Sequence, residues 1–466
     1  MCGIENKYII PQFFKKNIPA VDLQDFINMY TIAVEGWRRG LKLTFCSIPV
    51  NNENKLGFSL QSHNKKHFFI GSKGDKVQQE AINICNDISM LRERLGKIGL
   101  RLPKGKTFNL ESDEQYLYSY SRELDFPIII KYKKEKMNFI IVDSEEELTK
   151  VIQQLKADKF VLKISLEKFI QGKRYKVYVI NNKVISIIQI VPLQVVGDGI
   201  LTIEELIEKK NEQRKRNPIF QGNLIEVNDE LKEELSKKGY TLDKVLKFEE
   251  NLNLSLKSID EEIINETTKF SEFFNEIVVK ISEAIPGLFQ YEIDTIVDEK
   301  GLLFIIDVDT NPNISSHLFP LNGNNVDLPE VIIDEYFPET KGNKQVNFHF
   351  DIIKIIEVLQ QGLVNEIKVN DVIGSDDKIN KYFEAYGDVN TRKFNDWLLD
   401  ITFELKLNGY AKTLESGVKS IIVYGEEKKV KEFNDILEKN VPLMENVRYY
   451  DGKMETTSLV GFHIID

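Results

Sequence analysis

Cysteine is scarce in this chain: Cys2, Cys46 and Cys85 are three in 466 residues, an odd number without metal-ligand spacing. They offer neither a disulfide framework nor a cysteine-built zinc site, and reduced thiols fit a cytoplasmic protein. Histidine is equally sparse; of the five, His63 and His67 stand four apart, but the intervening residues read as a turn rather than a helical metal pair. No apolar run approaches the ~18 residues of a membrane span. The opening MCGIENKYII lacks the charged-then-apolar order of a signal peptide, so no membrane partner is expected. Basic residues are outnumbered, 62 against 73 acidic, for a net charge of -11, which argues against a nucleic-acid partner. No internal repeat and no low-complexity tract interrupts the chain.

What remains is the composition of an ordinary globular protein, 42% apolar and 29% charged, with a length sufficient for about three domains. Residues 21–40 carry apolar side chains at helical spacing and stop at Gly40; strand signals follow at LKLTFCSI, near Phe58 and at HFFIGS, and a helix is expected from Val77 to Lys97. From residue 105 a longer α/β block begins. FPIIIKY reads as a buried strand delivering Lys131, and Ser144 as the N-cap of the helix after FIIVD. Three strands are expected between residues 160 and 192, separated by QGK and NNK turns. Thr202 and Glu205 form a capping box behind the phrase VVGDGIL. Residues 340–376 read as a linker with one amphipathic helix. The last 85 or so residues run strand, helix, strand, strand, helix, strand, ending near GFHII, which is the ferredoxin-like order.

The chemically suggestive stretch is residues 288–313, LFQYEIDTIVDEKGLLFIIDVDTNPN, two apolar runs flanking a DEKG turn and hence a β-hairpin. Alternation puts Gln290, Glu292 and Asp294 on one face of the first strand, and Asp307 and Asp309 on one face of the second. If the turn pairs Val297 with Leu302, the two polar faces coincide. Carboxylates so crowded repel one another unless a hard cation such as Mg²⁺ lies among them. A solvated acidic face is the competing reading.

The phrases WRRGL (37–41), FPIIIK (126–131), LEKFIQGKRYKVYVI (166–180), VVGDGILTIEELI (195–207) and DVDTNPNISSHLFPLNG (307–323) together resemble the ATP-grasp superfamily, in the branch of cyanophycin synthetase and bifunctional glutathione synthetase. EAYGDVNTRKF and NGYAKTLESGVKSIIVYGE resemble acylphosphatase. The resemblance implies an α/β (α+β) chain with an N-terminal α/β domain (1–104), an ATP-grasp domain (105–339), the linker (340–376) and a ferredoxin-like, acylphosphatase-like domain (377–466). It implies ATP and Mg²⁺ as cofactors and small-molecule carboxylate and amine substrates, joined through an acyl phosphate; a homo-oligomer is compatible with it. Carried over residue by residue, Arg92 and Lys131 match the residues that neutralise the ATP phosphates, Glu167, Lys168 and Ile170 the segment that holds adenine, and Asp294, Asp307 and Asp309 the magnesium ligands.

Departures accompany the match. Lys131 is followed by YKKEKMNF, without the glycine-rich loop that cradles phosphates, and NLSLKSIDEEIINETT replaces a second phosphate-contacting stretch. Arg174 stands where the family has the acidic residue for ribose, and Lys176 where it has arginine. Lys133, Lys134, Lys136 and Lys257 are point charges that could replace the lost donors. The acylphosphatase arginine and asparagine correspond to Asn395 and Thr413, with Arg392 nearby. Two expectations follow: a carboxylate-amine ligase, or a catalytically degenerate relative serving as a regulatory or scaffolding partner of a ligase.

Overall fold

A computed structural model describes residues 20–50, 53–134, 137–158, 161–254, 261–343, 348–350, 352–362, 364–369, 378–414, 416–439, 444–450, 458–459 and 461–465. Helices and sheets alternate throughout, so the chain is mixed α/β. Two compact units are distinguished among the described residues, one built from those of 29–71 and 329–466 and the other from those of 20–28 and 72–328.

In the first unit an antiparallel sheet has the order Glu366–Lys368, Lys42–Val50, Glu53–Gln61, Lys66–Ile70. Trp37 is fully buried, its ring edge-on to Phe350 with centroids 5.3 Å apart. Arg39 of the WRRGL phrase is structural: Nε donates to Glu35 at 2.8 Å and Nη1 to Asp334 at 2.5 Å. That pairing gives a buried guanidinium the partners it requires.

The C-terminal sheet of this unit has the order Met444–Tyr450, Lys378–Gly387, Lys419–Glu426, Asn408–Thr413, Phe462–Ile465. Its fourth ferredoxin-like strand is therefore Met444–Tyr450, not the expected one at GFHII. The latter is a fifth strand on the opposite edge, parallel to Asn408–Thr413. Helices Arg392–Glu404 and Glu427–Glu438 bury Phe394, Leu398, Val430 and Phe433 against the sheet.

The second unit contains two further sheets. The four-stranded one runs Gly105–Asn109, Lys163–Lys168, Ile128–Lys133, Met137–Val142, all antiparallel. Helix Glu145–Ala157 packs on it through Leu148, Val151, Ile152 and Leu155, a one-sided apolar stripe. Each such side chain contributes roughly 1.5–3 kcal/mol on burial. Ser144 caps this helix as expected, accepting from Glu147 N at 3.2 Å.

The five-stranded sheet runs Glu261–Asn265, Lys183–Pro192, Gly172–Ile180, Gln290–Asp298, Leu303–Asp309. Asn181 and Asn182 both adopt positive φ, 50° and 59°, and close the NNK hairpin as a two-residue turn. One face of the sheet lies on helix Thr267–Ala284 and on helices Gln79–Asn86 and Ile88–Lys97. These last two were expected as one helix from Val77 to Lys97. The chain breaks at Asp87, whose carboxylate accepts from Ser89 N and Met90 N at 2.9 and 3.0 Å and starts a new helix.

A smaller lobe between residues 193 and 254 carries the capping box at Thr202 and Glu205. The glycine-aspartate-glycine phrase builds its tight turn. A Cβ on Gly197 would lie 2.1 Å from Lys247 O, and Asp198 Oδ1 accepts from Ile200 N and Leu201 N.

Candidate active site

The hairpin's strands pair Val297 with Leu303, one residue off the expected Val297–Leu302 pairing. A regular ladder from that point would set Asp307 on the face opposite Asp294. A bulge intervenes: Thr295 pairs with Ile305 and Asp294 with Asp307, so Ile306 is the extra residue. Ile305 thereby stays in the apolar core while Glu292, Asp294, Asp307 and Asp309 share one face. Arg174, Lys176 and Tyr178 of the neighbouring strand lie on that same face, since Lys176 pairs with Asp294 and Tyr178 with Glu292.

The carboxylates do not stand alone. Arg174 grips Asp294 with both ends of its fork, Nε to Oδ1 at 3.0 Å and Nη2 to Oδ2 at 2.6 Å, and reaches Glu261 at 3.5 Å. Although burial pushes Asp294 up, Arg174 and then Lys176 hold its carboxyl below the usual range. Lys176 pairs with Glu292. The other Glu292 oxygen lies 2.9 Å from His317 Nε2, and His317 Nδ1 is 2.9 Å from Ser186 Oγ. His317 and Ser186 are fully buried, so this chain of hydrogen bonds satisfies polar groups that would otherwise be costly. Glu292 is correspondingly lowered, Lys176 and His317 outweighing its burial.

Asp307 differs. It is 8% exposed, and its Oδ1 is buried with no hydrogen-bond partner among the described residues. Burial pushes its carboxyl up to about 6; Asp309 and Asp294 add to the shift, while Lys133 and Lys131 oppose it. Asp309 accepts from Asn311 N at 2.9 Å, and Asn311 in turn accepts from Ser72 N and Lys73 N, both at 3.1 Å. The polar turn after the hairpin is thus ordered, with Asn313 capping the short helix Ile314–Leu318.

The four-stranded sheet supplies the opposing wall. Its apolar face carries Ile128, Ile130, Ile164 and Leu166, so alternation sends Lys131, Lys133, Ser165 and Glu167 to the other side. Lys131 is 3% exposed; its Nζ donates to the carbonyl of the bulged Ile306 at 2.8 Å and pairs with Glu167 Oε2 at 2.6 Å. Arg92 takes the other Glu167 oxygen at 2.7 Å and donates to Pro103 O and Gly105 O.

The structure therefore gathers Arg92, Lys131 and Glu167 into one closed ionic cluster, and sets Asp294, Asp307 and Asp309 on one face beside it. Lys168 is exposed, 4.0 Å from Asp125, and Ile170 lies half-buried in the turn beyond. Among the described residues no group of three His, Cys, Asp or Glu side chains is gathered closely enough to hold a metal ion. A cleft of about 730 Å³ lined by Tyr175, Phe270, Phe273 and Phe274 lies on the other face of the five-stranded sheet, away from the carboxylates.

Arg174, Lys176, Glu292, His317 and Ser186 form ionic and hydrogen-bonded contacts that sequence reasoning did not assign to the site. Alternation already placed Glu292 on the acidic face. The partners of the others lie too far along the chain for any local pattern to show.

In the C-terminal domain, Asn395 sits on helix Arg392–Glu404. Thr413 Oγ1 donates to Asn390 Oδ1 at 2.8 Å and accepts from Lys419 Nζ at 3.1 Å. Arg392 is almost fully exposed, 3.6 Å from Asp396.

Comparison with known proteins bears on both parts of the chain. Residues 381–464 match the acylphosphatase family. Glutathione biosynthesis bifunctional proteins are similar over much of the chain: that of Desulfotalea psychrophila is 27% identical over 292 residues, 57% of this chain and 36% of the relative. That of Clostridium perfringens is 28% identical over 352 residues, 71% of this chain and 44% of the relative. The chain thus spans less than half the length of these curated relatives. Among solved structures, a bifunctional glutathione synthetase from Pasteurella multocida aligns at 20% identity with a TM-score of 0.46, covering 63% of this chain and 42% of that one. Over more than half of its length the chain is thus similar to bifunctional glutathione biosynthesis proteins, and its C-terminal part is acylphosphatase-like.

Proposed function

We propose that the chain is an ATP-dependent ligase joining a carboxylate to an amine on amino-acid-like small molecules through an acyl phosphate. The observation that carries this reading is Asp307, a buried carboxylate with an unpartnered oxygen that feels Asp309, Lys131 and Lys133. Carboxylate oxygens suit Mg²⁺, and Asp307 and Asp309 would hold it; Asp294 joins them only if Arg174 releases it. Held there, such an ion would supply neutralising charge for phosphate groups. The chain's own residues then do the positioning. Lys131 fixes the bulge that turns Asp307 toward the site, and Arg174 and Lys176 keep Asp294 and Glu292 ionised. The acylphosphatase-like domain fits a docking or substrate-gating role, since neither Asn395 nor Thr413 supplies a phosphate-binding arginine or the water-holding asparagine.

Incubating the protein with ATP, Mg²⁺ and pools of amino acids, and measuring ADP and phosphate, tests the proposal. Release of ADP that depends on an amino-acid pool and is lost in Asp307→Ala supports it; absence of nucleotide binding at millimolar ATP refutes it. A second reading, a degenerate relative that serves a partner ligase, is favoured by one feature. Both expected phosphate-neutralising residues, Arg92 and Lys131, are already spent on Glu167. The same assay separates the two.

A further inference from the structure

The cations around the carboxylate face can be sorted by what already holds them. Arg92 and Lys131 share Glu167, Arg174 is committed to Asp294, and Lys176 to Glu292. Of the four lysines that could replace a lost phosphate cradle, Lys134 pairs with Asp158. Lys136 and Lys257 lie outside the described residues.

Lys133 is the exception. It stands at the end of strand Ile128–Lys133, on the same side as Lys131, and is half-buried. Its Nζ donates to one group, the backbone carbonyl of Cys85 at 3.4 Å, in the last turn of helix Gln79–Asn86, and it forms no ion pair among the described residues. That carbonyl end attracts a cation but does not neutralise it. Asp307 feels Lys133 more strongly than any other cation, yet the two are not in contact as an ion pair. Among the described residues, an ammonium without a counter-ion and a buried carboxylate oxygen without a donor thus lie within electrostatic reach of each other. Direct pairing would satisfy both; so would a ligand that is itself cationic on one side and anionic on the other.

We propose that Lys133, and not Lys131, is the residue of this chain that receives the phosphate oxygens of a magnesium-chelated polyphosphate, with Asp307 and Asp309 facing the metal side of the same ligand. This rests on the reading of the site given above and names the contact that reading leaves open. It also offers a substitute for the missing glycine-rich loop: a point charge held at the end of a rigid strand in place of backbone donors.

The test is calorimetric titration of the full chain with magnesium pyrophosphate and, in parallel, with magnesium ATP, for the wild type and for Lys133→Met, Lys133→Arg and Lys134→Met. Lys133→Met is expected to weaken pyrophosphate binding at least ~10-fold, about 1.4 kcal/mol. Lys133→Arg retains affinity within a few-fold, which separates loss of charge from loss of fold. Lys134→Met makes the same change in net charge on the adjacent residue and shifts affinity less than about twofold, because Lys134 is engaged by Asp158. Equal affinity of Lys133→Met and wild type overturns the proposal, as does a wild type that binds no pyrophosphate at ~10 mM. Lys133-dependent pyrophosphate binding without ADP release in any amino-acid pool leaves this proposal standing and removes the ligase reading. ADP release unaffected by Lys133→Met does the reverse.

Discussion

Replacing Asp307 by Asn should make the metal-free protein more stable, by an amount that depends on pH in a defined way. Burial raises this carboxyl from its ordinary value of 3.8 to about 6. A raised carboxyl pKa means that the folded state holds the proton more tightly than the unfolded one. Folding is therefore unpenalised below the ordinary value and loses stability as pH rises through about 6. With about 1.4 kcal/mol per pKa unit, the shift corresponds to a penalty of about 3 kcal/mol at pH ~7.5, about half of that at pH ~5, and little below pH ~4. Asn keeps the shape and removes the charge, so Asp307→Asn should recover most of this. Urea denaturation of both proteins, in a chelator and across that pH range, measures the difference. Differencing along pH cancels any constant packing effect of the amide. A variant no more stable than wild type at pH ~7.5, or a gain that fails to shrink toward pH ~4, would refute the reasoning.

Arg174→Met should destabilise by roughly 2–3 kcal/mol, because it strands a largely desolvated Asp294 carboxylate, 14% exposed; the double variant with Asp294→Asn should recover more than about 1 kcal/mol of that, as read from a double-mutant cycle in urea. Asp294 is lowered, so its share of the coupling is present above its ordinary pKa of 3.8 and fades as pH falls below that value. Gly197→Ala would bring a methyl group to 2.1 Å from Lys247 O, and should cost about 2 kcal/mol or more in thermal denaturation while leaving far-UV circular dichroism near native.

Local chemistry was legible in the sequence wherever a short stretch settles the outcome. Ser144, Thr202 and Glu205 cap their helices as read, and the NNK turn forms because asparagine tolerates the left-handed backbone at both of its positions. The acidic face was legible as well, although by a register that does not occur. Ile306 looks like any apolar strand residue, and nothing local announces that the ladder skips it; the bulge lets Ile305 stay in the core while Asp307 stands opposite Asp294 on the polar face. Asp87 misled because a helical apolar pattern continues on both sides of it, while its carboxylate prefers the free N–H groups of a new helix. The partners of Arg174 and Arg92 were beyond reach for another reason. Asp294 is 120 positions from Arg174, and Glu167 is 75 from Arg92, so only the tertiary fold reveals that these charges are already engaged.

The fifth strand of the C-terminal sheet bears on the order in which that sheet assembles and on how its edge is covered. Phe462–Ile465 pairs in parallel with Asn408–Thr413, Gly409 meeting Phe462, so the contact closes a long loop and adds nothing until the antiparallel strands are in place. It is therefore suited to dock late. Until it does, Asn408–Thr413 presents an open row of N–H and C=O groups, a template on which the strand of another molecule could add. Shortening the chain before Phe462 would leave that edge bare permanently, and the visible result would be concentration-dependent self-association rather than loss of the sheet.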